Sequence, residues 1–231
     1  YVLLANRTIG LSRNDPKQNV GLELTYDSLL RGVSGKRLMR YAAGSYIPVE
    51  GAEVEPINGY DVVTTLDTYM QDVAQNALMK MLKQNKSTHG CVIVMEVATG
   101  KIKAMANLGL QPGTDSTYLE DLNYAVGKAT EPGSVFKLAS LLSLLEDKYV
   151  NNNTIVDCGD GSMKFSGLTI RDSHRGTGKV TVKKAFFTSS NVAFAKLVND
   201  NYQADPMKYI NHLQKFHLDK MTGIEIVASS G

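Results

Sequence analysis

The sequence predicts an α+β domain in which helices pack around an antiparallel sheet, and three stretches carry that expectation. Between Asp67 and Lys86 apolar residues recur at intervals of three and four, at Met70, Val73, Ala74, Ala77, Leu78, Met81 and Leu82, the period of a helix with one buried face. CVIVMEV and KIKAMANL are β-rich runs separated by a turn at Ala98, Thr99 and Gly100, which reads as an antiparallel hairpin. EPGSVFKLASLLSLLEDKYV, from Glu131, passes from Pro and Gly into a helix-period apolar stretch.

Taken in order, the first sixty residues are short apolar segments broken by Gly, Pro, Asn and Asp, as in SRNDPKQNVG and VEGAEVEPINGY. They are expected to be irregular and loop-rich, with one helix in LTYDSLLRG. A boundary is expected near Tyr60, followed by a strand at VVTTL and the helix at 67–86, with Thr65 and Asp67 as N-cap candidates. CVIVMEV is almost continuously apolar, so it is expected to be a central strand covered on both faces. A loop at LGLQPGTDSTY and a short helix in LEDLNYAVGKA lead to Glu131. Beyond the Glu131 helix come a polar, Gly-rich excursion (residues 151–179), a helical stretch (VTVKKAFFTSSNVAFAKLVND) and a last helix (ADPMKYINHLQKFHL).

Composition excludes several functions. The 231 residues are 43% hydrophobic and 21% charged with net charge +2, ordinary globular values with no basic blocks, so nucleic-acid binding is unsupported. No run of about 18 apolar residues is present and the start lacks a signal-peptide layout, so the chain as given is expected to be soluble. Cys91 and Cys158 form no C-x-x-C pair, and read as two isolated thiols or a single bridge. His89, His174, His212 and His217 build no H-E-x-x-H or Cys/His cluster, so no metal site is expected. RGTGKVT fails as a phosphate-binding loop, because Ser173 stands where its first glycine belongs.

Ser134 and Lys137, three apart at a helix start, lie on one face within hydrogen-bonding reach. A serine hydroxyl is a poor nucleophile until a base takes its proton. Lysine serves as that base only when burial or a cation lowers its pKa, so Lys137 is expected in a buried cleft. The helix N-terminus favours an oxyanion formed by Ser134 attacking a carbonyl. The alternative for S-x-x-K alone is a helix cap and a solvated lysine. It occurs once in the chain, at a Pro-Gly-marked helix start.

TSSN, Thr188 to Asn191, interrupts an apolar helical run with residues that compete for backbone hydrogen bonds. A break there would direct Ser189 and Asn191 into a cavity, Ser189 to relay a proton and Asn191 to hold Lys137 and a substrate amide. A polar link between two helices is the alternative. S-x-x-K followed 55 residues later (189 − 134) by S-x-N supplies two of the three motifs of penicillin-binding proteins and class A β-lactamases.

On these motifs the chain resembles the class B penicillin-binding proteins, monofunctional D,D-transpeptidases of bacterial peptidoglycan. VVTTLD, VIVMEVATGKIKAMAN, EPGSVFKL and TSSN are similar to that family's transpeptidase domain, and RTIGL and GLELTYDSLLRGVSGK to its non-catalytic pedestal. The resemblance implies residues 1–60 as part of the pedestal and 61–231 as the N-terminal part of a serine transpeptidase (penicillin-binding/β-lactamase-like) domain. The third motif, K-T-G, is absent; in DKMTGIEI Met221 separates Lys220 from Thr222. The family's K-T-G lies farther downstream than the 40 residues (231 − 191) after Asn191, and its membrane anchor is also missing. A fragment of impaired activity is therefore expected.

By resemblance, Ser134 is the nucleophile, Lys137 its base, and Ser189 and Asn191 the proton relay and substrate clamp. The resemblance implies stem peptides ending in D-Ala-D-Ala as substrates, β-lactams as inhibitors, a glycan polymerase and division or elongation proteins as partners, and no metal or organic cofactor. The location implied is the periplasmic face of the inner membrane, through a single-pass anchor. RTIGL and the pedestal pattern lean toward a division role. Two competing readings are a class D β-lactamase or β-lactam sensor, which usually carry S-x-V and lack the pedestal, and a non-catalytic scaffold of cell-wall assembly.

Overall fold

The computed structural model describes residues 4–10, 19–165, 167–174 and 176–227, and the chain divides into two compact units, residues 1–129 with 224–231, and residues 130–223. Part of SRNDPKQNVG lies outside the described residues.

The first unit begins with three short helices, α1 (Asn6–Ile9), α2 (Gly21–Thr25) and α3 (Asp27–Leu30), followed by an antiparallel pair, β1 (Lys36–Ala42) and β2 (Ser45–Val54). This corrects the loop-rich expectation for the first sixty residues. The connection Ala43-Gly44 has both φ positive, at 51° and 82°, which suits a two-residue hairpin turn. Most of both strands is exposed, so no alternation of apolar and polar residues marks them in the sequence.

Helix α4 (Thr68–Asn85) starts as expected at Asp67, whose side chain accepts the Met70 N–H at 2.9 Å. Thr65 does not cap it; its hydroxyl donates to the Ile102 carbonyl. VVTTL forms no strand, although the Asp67 N–H reaches the Lys103 carbonyl. The buried stripe of α4 is Gln71, Ala74, Leu78 and Leu82, while Met70, Val73 and Met81 face solvent.

The hairpin forms from β3 (His89–Met95) and β4 (Ile102–Leu110), and β5 (Tyr118–Leu119) pairs with the far end of β4. The sheet order β3-β4-β5 makes β4 central, which corrects the placement of CVIVMEV. Strand β3 leaves Ile93 and Met95 half exposed, whereas Ala104, Met105, Ala106, Asn107 and Leu108 of β4 are buried. Alanines at 104 and 106 let α4 approach closely, so the interior strand is the one with the smaller side chains. The helix expected in LEDLNYAVGKA shrinks to one turn, α5 (Tyr124–Gly127).

Gln71 is the unforeseen element of this core. Its Nε2 donates to the Met105 carbonyl at 3.0 Å and its Oε1 accepts the Met105 N–H at 2.7 Å, replacing a neighbouring strand at that point of β4. Glu120 is likewise tucked under α1 and accepts the Arg7 N–H at 2.8 Å. Burial pushes its carboxyl up to about 7, against the pull of the Arg7, Ala5 and Asn6 N–H groups.

In the second unit a 3-10 turn, Gly133–Phe136, leads into α6 (Lys137–Glu146). The polar, Gly-rich excursion, to which the sequence assigns no strand, forms four short strands together with the residues just after it: β6 (Ile155–Asp157) pairs with β9 (Lys179–Thr181), and β7 (Ser162–Phe165) with β8 (Leu168–Arg171). Helices α7 (Val182–Phe187), α8 (Asn191–Tyr202) and α9 (Pro206–Lys215) follow. Leu144, Val156, Val182, Val192 and Phe194 form a core between α6, β6, α7 and α8. Asp147 ties α9 down, accepting from Tyr202 at 2.8 Å and lying 3.0 Å from His212 Nε2.

Two stability effects follow. Gln71→Leu nearly keeps the volume but leaves the buried Met105 N–H without its acceptor and takes one of two donors from the Met105 carbonyl, which the Thr8 hydroxyl still reaches at 3.1 Å; it is expected to cost about 2 kcal/mol in urea unfolding. For Glu120 the folded-state pKa is raised, so folding is favoured by the proton; the melting temperature should fall as pH rises from 4.5 to about 7. Glu120→Gln should flatten that slope in calorimetry, and an unchanged slope would assign it to other groups.

Candidate active site

The four residues singled out in the sequence converge in the second unit. Lys137, first residue of α6, places Nζ 3.0 Å from Ser134 Oγ, 2.9 Å from Ser189 Oγ, 2.8 Å from the Ser189 carbonyl and 2.6 Å from Asn191 Oδ1. Ser134 sits in the 3-10 turn rather than in the α-helix proper. Gly133 before it has φ 61°, a conformation that favours glycine, and a Cβ there would meet nothing within 4 Å. The backbone is thus open in front of the serine.

The break predicted at TSSN is present. Helix α7 ends at Phe187, α8 begins at Asn191, and Ser189 between them holds φ 56°. The left-handed turn brings both the carbonyl and the hydroxyl of Ser189 to Lys137. Asn191 is oriented by its other end: Nδ2 donates to the Arg171 carbonyl at 2.8 Å, so Oδ1 must face the lysine.

Lys137 is half-buried, and Ser134, Ser189 and Asn191 are exposed. The expected buried cleft is therefore an open shelf in the described residues. Even so, desolvation lowers the Lys137 pKa from its usual 10.5, and the charge of Asp172 partly opposes that shift. An ammonium has three protons for four acceptors. A neutral amine has two, and its lone pair can take the Ser134 hydroxyl proton. The geometry therefore suits a serine activated by a neutral lysine.

Sequence reasoning missed Asp172, Thr177 and Ser190. The buried Ser190 hydroxyl accepts the Ala193 N–H at 3.0 Å as the N-cap of α8 and donates to Asp172. A serine directly before an apolar helical run was a readable cap signal. Asp172 follows β8 within a Gly-rich stretch and carried no such signal. Burial raises its carboxyl, but donors from Val192, Thr177, Ser190 and Asn191 outweigh it and hold the pKa below the usual 3.8. Cys158 is buried against Ser190, Cys91 is exposed on β3, and both are free thiols. Among the described residues no three His, Cys, Asp or Glu side chains cluster as metal ligands, and no helix is long and apolar enough to cross a membrane.

The family model for the penicillin binding protein transpeptidase domain matches residues 90–231. The chain is 24% identical over 227 residues to the peptidoglycan D,D-transpeptidase FtsI of Buchnera aphidicola, covering 97% of this chain and 39% of that protein. It is 26% identical over 220 residues to the penicillin-binding protein PbpB of Mycolicibacterium smegmatis, covering 91% and 33%. The crystal structure of penicillin binding protein 2X from Streptococcus thermophilus superposes with a TM-score of 0.75 at 21% identity, over 99% of this chain and 36% of that one. The chain thus spans well under half the length of these relatives. With the family model matching more than half of its residues, the chain belongs to the penicillin-binding protein transpeptidase domain family, among the class B members.

Proposed function

We propose that the protein containing this chain is a peptidoglycan D,D-transpeptidase acting through an acyl-serine, and that Ser134, Lys137, Ser189 and Asn191 carry its chemistry. The observation that carries the reading is the contact of one lysine amine with Ser134 Oγ and with Ser189 and Asn191 at 2.6–3.0 Å. Residues 1–60 belong to a pedestal and 61–231 to the first part of the transpeptidase domain, whose K-T-G strand would supply the second wall of the cleft and an oxyanion donor. RTIGL and the pedestal pattern favour a division role at the extracytoplasmic face, beside a glycan polymerase.

Neutral Lys137 takes the Ser134 proton as Oγ attacks the carbonyl of the penultimate D-alanine of a stem peptide. The tetrahedral oxyanion collapses, the C–N bond breaks, and the terminal D-alanine leaves with a proton relayed from Lys137 by Ser189. An amine from a neighbouring strand then attacks the ester, loses a proton to the same relay, and returns Ser134 to its hydroxyl form. Asn191 holds the lysine and an amide of the stem peptide. A β-lactam enters the first half of this sequence, because its strained amide acylates the same oxygen and stays attached.

Fluorescent penicillin with intact-mass detection tests this on the whole protein, with the chain alone beside it. The expected result is one acyl adduct on the whole protein, abolished by Ser134→Ala; a folded whole protein that takes no label refutes the reading. Lys137→Ala should slow acylation by roughly a hundredfold or more, the scale of a lost general base. Because the base works unprotonated, the acylation rate should climb with pH toward the lowered lysine pKa. A flat profile between pH 6 and 9 would assign the proton to another group.

A further inference from the structure

Two consecutive residues at the end of β8 grip the turn that carries Ser189 and Asn191. The Arg171 carbonyl holds the Asn191 amide at 2.8 Å. The Asp172 carboxylate accepts the Ser190 hydroxyl at 2.9 and 3.0 Å from its two oxygens, the Val192 N–H at 2.9 Å and the Thr177 hydroxyl at 2.7 Å. Its donors Ser190 and Val192 thus flank Asn191, and Ser190 directly follows Ser189.

That grip has a strained target. A residue with a side chain in the left-handed region costs about 1 kcal/mol or more and persists only where its surroundings over-determine it. Ser189 is such a residue, with φ 56°. Its N–H is held by the Phe186 carbonyl and that of Ser190 by the Ala185 carbonyl; Asp172 supplies the anchor on the α8 side. Charge-assisted bonds of this kind are about twice as strong as neutral ones. Asp172 also acts on Lys137 through space, favouring the charged amine.

We propose that Asp172 is a positioning residue of this site, whose carboxylate fixes Ser190 and Val192 and thereby holds Ser189 and Asn191 against the Lys137 amine. Its chemical meaning rests on the transpeptidase reading. The carboxylate does two things that oppose each other: it organises the relay, and its charge makes the lysine harder to deprotonate. Removing the charge therefore frees the base while loosening the relay around it. A residue that only stabilised the fold would produce no such divergence.

The experiment compares the unsubstituted protein with Asp172→Asn in three readouts. The first is the pH profile of Lys137 labelling by limiting acetic anhydride, followed by peptide mass. The second is amide hydrogen exchange across 189–192, and the third is the rate of penicillin acylation. In Asp172→Asn, Lys137 is expected to label roughly threefold to tenfold faster at pH 8, with its profile moved to lower pH. Exchange at 189–192 is expected to accelerate, and acylation to slow about tenfold. Unchanged Lys137 labelling together with unchanged exchange overturns the proposal. Should Asp172→Asn not fold, Thr177→Val keeps the charge and removes one donor; faster exchange at 189–192 with a Lys137 profile within about twofold supports the proposal, and unaltered exchange overturns it. If the unsubstituted protein takes no penicillin, the transpeptidase reading fails, and the labelling and exchange arms still decide the role of Asp172.

Discussion

The site in the second unit is organised around one amine. Lys137 Nζ has three hydrogen-bonding positions and four oxygen neighbours within 3.0 Å. Two ordinary elements, the start of α6 and the break between α7 and α8, become a site only because this amine spans them. Its depressed pKa follows from removing an ammonium from water into a half-buried position, with one carboxylate offsetting part of that cost. The balance keeps a fraction of the lysine neutral, and a neutral lysine is the form that can receive a proton from Ser134.

The polypeptide around that amine is shaped by helix ends. A continuous helix through Thr188–Ser190 would have spent the Ser189 carbonyl on an intrahelical bond. With the chain turned left-handed at Ser189, the carbonyl points to Lys137, and Ser190 starts the next helix as its cap. Gly133 does the corresponding work on the other side, turning the chain into the 3-10 turn that displays Ser134. Glycine takes its positive φ without steric cost, so the strain is confined to Ser189, and the residues on either side of that turn are held by polar contacts, those of Asp172 to Ser190 and Val192 among them.

The first unit shows the same economy in its sheet. Strand β4 is buried along most of its length, so the peptide group of Met105 needs partners that no neighbouring strand supplies. The two ends of one glutamine amide meet that need from α4, and the Thr8 hydroxyl of α1 adds a second donor to the carbonyl. Glu120 meets the free N–H groups of α1 in a similar way and keeps its carboxyl near neutrality in pKa because it is buried to do so. Polar side chains here complete backbone hydrogen bonding where regular structure stops.

Much of this could be read from the residues alone. The 3.6-residue period of α4, the hairpin around Gly100, the helix start at Ser134, and the interruption at TSSN are local signals, set by neighbours within a few positions. Spacing places serine beside lysine and hydroxyl beside amide, but Ser134, Lys137, Ser189 and Asn191 could be named only because the two motifs occur together and carry a resemblance to a known family. Tertiary structure decided what depends on distant partners. It made β4 rather than CVIVMEV the interior strand, because the alanines of β4 admit α4. It formed β1–β2, which is exposed along most of its length and imprints no period on the sequence, and β6–β9, whose three-residue strands are too short to show one. It also brought Asp172 to Ser190 across 18 residues. A hydrogen bond between groups far apart in the chain leaves no periodic trace, so the carboxylate behind the site became visible only when the chain had folded around it.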